Sequence, residues 1–440
     1  MQALPKGSKK LLNAWAFYDW ANSVYSLVIS SAIFPIFYGA LTIVKEDGVV
    51  VNDTIDFLGF EDLNNDTLIS YVTGAAFLMV SILSPFLSGI ADYVGNKKNF
   101  MKFFCYLGAI SCIGLFWFNL EYLWFGLLCY FLALIGFWGS LVFYNSYLPD
   151  IAFPEQQDKI SAKGYSLGYF GSVLLLLLCL GMILSYETFG FEDEGLPTRL
   201  SFVLTGVWWI VFSQYTYYYL PKGNKTKQKV TKDILLNGFR ELSKILQRIK
   251  ENLQLKRYLY AFFLYSMAVQ TIMLIATYFG IEELDWGEQD STVGLIVSIL
   301  LIQLVAILGA FLTSRASAKF GNIQTLIVIN VLWIGICIYA YFITTPFQFY
   351  GAAALVGLVM GGIQSLSRST YSKLLPKDAI DTASYFSFYD VSEKIGIVIG
   401  MFSYGFIAQL TGSIRYSILF LILFFVLGVI LLLRVPKTKF

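Results

Sequence analysis

The sequence predicts an all-α membrane protein of twelve transmembrane helices, arranged as two six-helix bundles with both termini in the cytoplasm. Three observations predict this fold. Of the 440 residues, 57% are hydrophobic and 14% are charged, whereas soluble domains have about 45–50% apolar and about 25% charged residues. The apolar residues form runs long enough to cross a bilayer. Lys and Arg are concentrated on one side of the predicted membrane.

Composition also excludes several classes of function. The chain has 39 Phe, 29 Tyr and 9 Trp, which excludes a disordered chain, and its net charge of +2 does not favour nucleic-acid binding. It has no histidine, which removes catalytic triads built on His, His-ligated metals and His proton relays. The five cysteines lie in apolar runs without metal-ligand spacing. We therefore expect no cofactor, no metal site and no disulfide framework.

Twelve segments are long and apolar enough to be membrane-spanning helices. They are continuous apolar runs, which favours helices over the alternating strands of an outer-membrane barrel. The first run is long and contains Asp19 and Asn22, so it is not predicted to be a cleaved signal peptide. The predicted spans are 13–44, 67–91, 99–118, 123–147, 163–185, 199–220, 257–281, 291–314, 322–343, 347–371, 385–410 and 415–434.

The connections between these spans predict the orientation. Of the 31 Lys and Arg residues, almost all lie in the two termini and in every second connection. Only Lys45, Arg199 and Arg415 lie in the other connections, and Lys394 lies within a span. Because cytoplasmic loops carry the excess of basic residues, both termini are predicted to be cytoplasmic.

The longest connection divides the chain into residues 1–220, a linker 221–256 and residues 257–440. After a Lys-rich start, the linker has apolar residues at the spacing of one helical face. We expect a basic amphipathic helix on the inner membrane surface, with a regulatory docking site as the alternative. The predicted apolar face consists of Ile234, Leu235, Phe239, Leu242, Ile245, Leu246, Ile249 and Leu253.

A motif follows the second span, in the sequence Ser88-Gly89-Ile90-Ala91-Asp92-Tyr93-Val94-Gly95-Asn96-Lys97-Lys98. It resembles the cytoplasmic G-x-x-x-D-x-x-G-x-x-K/R signature of the major facilitator superfamily, although Ser88 replaces the first glycine and Gly89 follows it. Gly95 permits a tight turn. Asp92 can accept hydrogen bonds from the start of another helix or pair with a cation, and so act as a latch that forms in one conformation.

A closer resemblance rests on three strings. These are Tyr18-Asp19-Trp20-Ala21-Asn22, Leu148-Pro149-Asp150-Ile151-Ala152, and Gln364-Ser365-Leu366-Ser367-Arg368-Ser369 with the later Tyr389-Asp390. Together they resemble the autophagy-related vacuole effluxer-like family of the major facilitator superfamily. The resemblance implies a transporter with two six-helix bundles, and export of amino acids or related metabolites. The short inner loops suit a bacterial inner membrane.

Polar and charged residues inside the spans are the candidate coupling or substrate residues, because a charge within a span is costly. In the first span, Asp19, Ser23, Ser26 and Ser30 share one helical face, with Asn22 beside it, and we expect that face to line a water-filled cavity. In the eleventh span, Asp390, Glu393 and Lys394 share a face, and Arg368 is expected to approach them. Gln364 adds a hydrogen-bonding group nearby.

These features predict a secondary transporter, since the chain lacks the phosphate-binding loop of nucleotide-driven pumps. The expected partners are a small-molecule substrate, a proton or sodium ion as the coupling ion, and the lipid bilayer, and we expect a monomer that binds no nucleic acid. The main alternative is an exporter of hydrophobic drugs or lipids, which predicts apolar cavity walls. An intramembrane enzyme and a receptor that uses the linker are further alternatives.

Overall fold

The computed structural model describes residues 4–46, 49–57, 59–222, 234–287, 291–377 and 379–436. Within these residues, twelve helices are long and apolar enough to cross a membrane, which confirms the predicted number. They are α1 (Lys9–Thr42), α2 (Asn65–Val94), α3 (Lys97–Trp117), α4 (Leu123–Ile151), α5 (Pro154–Leu184), α6 (Gly195–Tyr219), α7 (Leu253–Glu282), α8 (Ser291–Phe320), α9 (Asn322–Tyr341), α10 (Pro346–Leu374), α11 (Thr382–Thr411) and α12 (Ile414–Leu433).

Ten of the twelve helices are longer than the predicted spans, most of all at the start of α5. The predicted spans leave residues 148–162 in a connection, but the helix already begins at Pro154. The polar side chains of Gln157, Asp158 and Ser161 are buried, so this turn is polar because it packs against other helices and not because it faces water.

The first helix changes its pitch where it approaches the middle of the fold. It is α-helical over Lys9–Val24, π-helical over Tyr25–Ile33 and α-helical again over Phe34–Thr42. Segments of π-helix are rare and occur most often at functional sites. No feature of the sequence predicts this change from α-helix to π-helix.

Two hairpins follow α1, in the connection between the first two predicted spans. Strand β1 (Val44–Glu46) pairs with β2 (Val49–Asn52), and β3 (Thr54–Phe57) pairs with β4 (Phe60–Asn64), both antiparallel. The Asn64 side chain then accepts hydrogen bonds from the backbone of Asp66 and Thr67 and caps the start of α2.

Two hydrophobic cores are present, one formed mainly by α1–α6 and the other mainly by α7–α12. The halves meet where α2 and α4 pack on α11, and where α5 packs on α8 and α10. Glycines bring helices close within each half: Gly164, Gly168 and Gly171 of α5 face α1, and Gly309 and Gly361 bring α8 and α10 together.

The two ends of the helical bundle differ in charge. The end with both described termini and the Lys97–Lys98 turn is called the basic end below, and the end with the four strands and Glu282–Glu283 is called the acidic end. An even number of spanning helices places both termini at the same end.

The linker contains a helix, Ile234–Glu251, that packs on α2, α7 and α11. Residues 223–233 of the linker prediction lie outside the described residues, as do the side chains of Ile234, Leu235 and Phe239. The expectation that its apolar face lies on lipid is corrected for Ile245 and Ile249, which are buried in the core of the second half. Arg248 also lies 3.7 Å from the Asp381 carboxylate, just before α11. The helix therefore contacts both halves at the basic end.

Candidate functional site

A cavity of about 310 Å³ lies between the two halves, near the middle of the helices. Both halves contribute to its walls, with side chains from α1, α2, α4 and α5 on one side and α7, α8, α10 and α11 on the other. Eight of the nine residues predicted to contact substrate or coupling ion line it: Asp19, Asn22, Ser23, Ser26, Gln364, Arg368, Asp390 and Glu393. The ninth, Lys394, lies behind this wall and is fully buried.

The polar stripe of α1 faces the cavity. Asp19, Ser23, Ser26 and Ser30 all line it, and the Ser26 side chain is exposed although the residues on both sides of it are buried. The Asn22 side chain is buried, and its Nδ2 atom has no hydrogen-bond partner within the protein. An unpaired buried amide is costly, so this donor is available to a bound molecule.

Asp19 forms a buried ion pair with Arg368, and this pair joins the two halves. The Asp19 Oδ2 and Arg368 Nη2 atoms are 3.2 Å apart, and both side chains are nearly inaccessible to solvent. The Tyr144 hydroxyl donates a second hydrogen bond to the same carboxylate oxygen at 2.8 Å. Because Asp19 belongs to α1 and Arg368 to α10, separating the halves at this level breaks the pair.

Further contacts hold the Arg368 guanidinium against the first half. Its Nε donates to the Ser161 hydroxyl at 3.0 Å and its Nη1 donates to the Asn145 amide oxygen at 3.2 Å. The Tyr165 ring lies 4.2 Å from the guanidinium carbon and the Trp15 ring 4.8 Å from it. The expectation that Arg368 approaches the charges of α11 is therefore wrong: its hydrogen bonds go to Asp19, Asn145 and Ser161.

The charged residues of α11 form a second cluster. The Lys394 ammonium lies 3.0 Å from Asp390 Oδ1 and 2.9 Å from Glu393 Oε2. It also lies 3.4 Å from the centre of the Trp138 ring of α4, in the other half. Gln270 of α7 donates to Glu393 Oε1 at 2.7 Å. The spacing of these residues correctly predicts that the three charges share one helical face.

The two clusters leave one negative charge without a cation of its own. Asp19 faces Arg368, whereas Asp390 and Glu393 share Lys394. The Asp390 Oδ2 atom is buried and has no hydrogen-bond partner within the protein. Of these three carboxylate side chains, that of Glu393 is the most exposed, at 16%. Asp390 and Glu393 are thus two acidic side chains that share one buried lysine.

Gln364 also lines the cavity. Its Oε1 accepts a hydrogen bond from the Tyr169 hydroxyl at 2.7 Å, across the two halves. The sequence analysis did not select Trp138, Ser161, Gln270 or Gln303, which also belong to the site. Trp138, Gln270 and Gln303 are single residues in apolar runs and Ser161 lies in a polar stretch, so only the folded chain shows which helix face each occupies.

The predicted motif after α2 contacts the start of α11. The Asp92 carboxylate accepts hydrogen bonds from the Ser384 amide and hydroxyl, both at 2.7 Å, and from the Ala383 amide at 3.3 Å. A carboxylate at a helix start is stabilised by the free amides and the helix dipole. Gly95 has a φ of 67°, the left-handed conformation that the turn requires. Gly89 is buried within α2.

The two lysines of the motif contact different parts of the fold. The Lys97 ammonium pairs with Asp150 in its own half and donates to the Thr382 hydroxyl of α11 at 2.9 Å. The Lys98 ammonium donates to the Leu220 carbonyl at 2.7 Å, which ties α3 to the end of α6. Lys97 therefore bridges the halves, whereas Lys98 acts within the first half.

The basic end of the protein is closed. In the described part of the chain, the observed hydrogen bonds and ion pairs between the halves run from the Asp92 contact at the basic end to the Tyr169–Gln364 bond beside the cavity. They include the Asp19–Arg368 pair and a group of contacts around Asp158. The structure thus represents a state in which the cavity is sealed from the basic end.

Comparison with known proteins gives consistent matches over the whole chain. The family model described as "Vacuole effluxer Atg22 like" matches residues 7–439. A Bacillus subtilis (strain 168) protein named uncharacterized MFS-type transporter YxiO is 32% identical, covering 97% of this chain and 94% of that protein. Autophagy-related protein 22 of Coccidioides immitis (strain RS) is 24% identical, covering 98% and 87%.

Solved structures show the same fold. The crystal structure of the major facilitator transporter FucP in the outward conformation gives a TM-score of 0.68 at 15% identity, covering 98% of this chain and 99% of that one. The human organic anion transporter MFSD10 (TETRAN) gives 0.69 at 12% identity, covering 96% and 99%.

Proposed function

The chain belongs to the vacuole effluxer Atg22-like family of major facilitator transporters, and on this premise we propose that it is a proton-coupled effluxer of amino acids or related small metabolites. It is a multi-pass integral membrane protein with the major facilitator fold. The proposal concerns its substrate class, its coupling ion and the direction of transport.

The observation that carries the proposal is the position of the Asp19–Arg368 pair. Asp19 lines the cavity, and the same carboxylate ties α1 to α10. A proton or a substrate ammonium that binds Asp19 weakens its attraction to Arg368. Ligand binding in the cavity and closure of the basic end therefore depend on the same ion pair. Coupled transport requires such a link, because a ligand shifts a conformational equilibrium only if it binds the two states differently.

The cavity walls favour a small amine-bearing solute. Three carboxylates face two cations, which leaves a charge that an ammonium group can neutralise. Phe262 and Tyr265 also line the cavity, and aromatic surfaces attract ammonium groups. The volume of about 310 Å³ lies at the small end of ligand pockets, about 300–1,000 Å³. Apolar side chains such as Phe77, Leu134 and Met273 also line the cavity, so the preference for a polar solute over a hydrophobic drug or a lipid rests on the unbalanced charge and not on the walls as a whole.

The proposed orientation places the basic end in the cytoplasm, because basic loops remain on that side. The protein in its present state is then closed to the cytoplasm. Efflux requires the opposite state, in which the basic end opens and admits substrate to the same cavity. An inward proton gradient drives the cycle if proton binding from outside displaces the substrate ammonium from the shared carboxylates.

Gradient-driven transport in proteoliposomes tests the proposal. Purified protein is reconstituted, vesicles are loaded with labelled leucine, tyrosine and arginine, and a pH gradient or a sodium gradient is imposed. We expect one or more of these amino acids to move with the pH gradient, and Asp19→Asn to abolish that movement. The matched control is Glu187→Gln, which changes an exposed carboxylate of the acidic end.

Two results would overturn the proposal. Transport that is driven by the sodium gradient alone would show that sodium, and not the proton, is the coupling ion. If folded protein moves no amino acid but extrudes a lipophilic dye or a labelled lipid, its substrates are hydrophobic drugs or lipids and not amino acids.

A further inference from the structure

A second, smaller cavity lies within the second half of the protein, and it is called the apolar pocket below. Its volume is about 60 Å³, and helices α7, α9 and α10 contribute most of its walls. The lining residues are all Ala, Val, Ile, Phe, Met or Cys. Water needs polar partners in order to occupy a buried space. The apolar pocket is therefore suited to an apolar group and not to water.

The apolar pocket continues the face of α10 that lines the larger cavity. The α10 residues that line the pocket are Phe349, Ala352, Ala353 and Val356, and those that line the cavity are Met360, Ile363, Gln364, Ser367 and Arg368. From Phe349 to Ser367 these positions keep the three-four spacing of one helical face. Because α10 begins at the acidic end with Pro346, the pocket lies on the acidic-end side of the cavity.

Two methionines lie at the boundary between the two spaces. Met273 of α7 lines both of them, and Met360 of α10 lines the cavity one turn beyond Val356 of the pocket. A methionine side chain is unbranched and flexible, so it fills irregular gaps and adapts to its neighbours. The boundary is thus formed by side chains that move easily and not by backbone.

The carboxylate nearest to this boundary along α7 is that of Glu393. Gln270 of α7 donates a hydrogen bond to Glu393 Oε1 at 2.7 Å. Met273 is three residues further along the same cavity-lining face, which corresponds to about 5 Å along the helix axis. An ammonium group held at Glu393 and an apolar group directed past Met273 therefore fit side by side along one helix.

We propose that the apolar pocket is a side-chain subsite, which accepts the branched aliphatic side chain of an amino acid whose ammonium group binds in the cavity. The inference rests on the proposed amino-acid efflux and adds the class of side chain. One water-sized group takes about 10–15 Å³ of such a volume, so 60 Å³ holds about four of them. A leucine side chain has four carbon atoms, whereas a lipid chain has many more.

Exchange of leucine and alanine in proteoliposomes tests the subsite without an ion gradient. Vesicles are preloaded with both unlabelled amino acids, and the initial uptake of each labelled one is measured. Ala353→Leu adds three carbon atoms to the wall of the pocket, where Ala353 is buried. The matched control is Ala354→Leu, the same change at the next position of α10, which lines neither the pocket nor the cavity.

We expect Ala353→Leu to lower the ratio of leucine exchange to alanine exchange about tenfold. A single methylene group changes selectivity in an apolar pocket by about 10–200-fold. Alanine exchange should stay near the parental rate, because its methyl group does not reach the pocket. Ala354→Leu should leave the ratio unchanged. Met273→Ala removes part of the boundary and should raise phenylalanine exchange relative to leucine exchange.

The inference is overturned if Ala353→Leu leaves the ratio unchanged, as expected for a lipid site or a packing void. It is also overturned if leucine and alanine exchange fall equally, which would make the pocket a space that the conformational change needs. If Ala353→Leu does not fold, Ala353→Val fills less of the pocket and should lower the ratio by a smaller factor; an unchanged ratio there contradicts the subsite. Folded parental protein that exchanges neither amino acid overturns the proposed efflux and this inference with it, so the two failures are distinguishable.

Discussion

Gly164 of α5 offers a steric test of the Asp19–Arg368 pair. A Cβ atom built on Gly164 would collide with Asp19 Oδ2, and would lie 3.1 Å from Arg368 Nη2 and 3.3 Å from the Tyr144 hydroxyl. The Gly164→Ala change therefore adds one methyl group at the point where the two halves are joined. No charge is removed and no residue of the cavity wall is replaced.

The magnitude follows from the two hydrogen bonds that Asp19 Oδ2 accepts, from Tyr144 at 2.8 Å and Arg368 at 3.2 Å. Bonds to charged groups contribute about 1.5–3 kcal/mol each. Overpacking a well-filled site costs about 1–3 kcal/mol when neighbours move aside. We expect the closed state to lose about 2 kcal/mol, equivalent to one of these bonds. This corresponds to a change of about 30-fold in the ratio of closed to open protein.

The assay is the distribution of distances between spin labels attached at Glu155→Cys and Lys319→Cys, measured by double electron–electron resonance. The unfolding temperature is measured in parallel, to show that each variant folds. The control is Gly181→Ala in the same helix, where a Cβ would meet no atom within 4 Å. Gly181→Ala should leave the distances unchanged and unfold at an equal or slightly higher temperature, because alanine favours the helix.

A double-variant cycle identifies the cause of the effect. Asp19→Ala removes the carboxylate that the new methyl group would strike, so Gly164→Ala should have little further effect in that background. The reasoning is refuted if Gly164→Ala leaves the label distances at the parental values, or if its effect is equally large in the Asp19→Ala background.

Three further predictions concern other parts of the site. Asp92→Asn removes the negative charge that caps α11, and should destabilise the closed state by about 1 kcal/mol, seen as a larger fraction of long label distances; an unchanged fraction would contradict the latch. Lys394→Gln leaves two acids without their buried cation and should cost about 3–5 kcal/mol of stability, measured as a lower unfolding temperature. Adding Glu393→Gln should recover part of that loss, and no recovery would show that Lys394 acts by packing alone. Gly361→Ala places a Cβ against the Ala306 carbonyl oxygen and should cost about 1–3 kcal/mol; unaltered stability would contradict the close packing of α8 and α10.

The number of spanning helices and the identity of most site residues could be predicted from the sequence. Length and hydrophobicity are sufficient for the helices, because a bilayer imposes a minimum apolar length. The polar stripe of α1 was predictable for a related reason: Asp19 and three serines at helical spacing have no reason to face lipid. The three charges of α11 were found in the same way.

The contacts between the halves could not be predicted from local patterns. The spacing within α10 and α11 placed Arg368 near Asp390, yet its hydrogen bonds go to Asp19 and other residues of the first half. Asp158 lies outside the predicted spans, yet its carboxylate is buried against Ser317 and Asn322, more than 150 residues away in sequence. Such pairings depend on how two bundles dock, and periodicity within one helix contains no information about docking.

The most direct test of the central claim is trans-stimulation in proteoliposomes. Vesicles preloaded with labelled leucine or arginine are diluted into buffer with or without the same unlabelled amino acid, and release is followed. An alternating-access carrier predicts that outside amino acid accelerates release, and that Asp19→Asn lowers the accelerated rate. Release that is independent of outside amino acid, or no release of either amino acid from protein shown to be folded, would contradict the account.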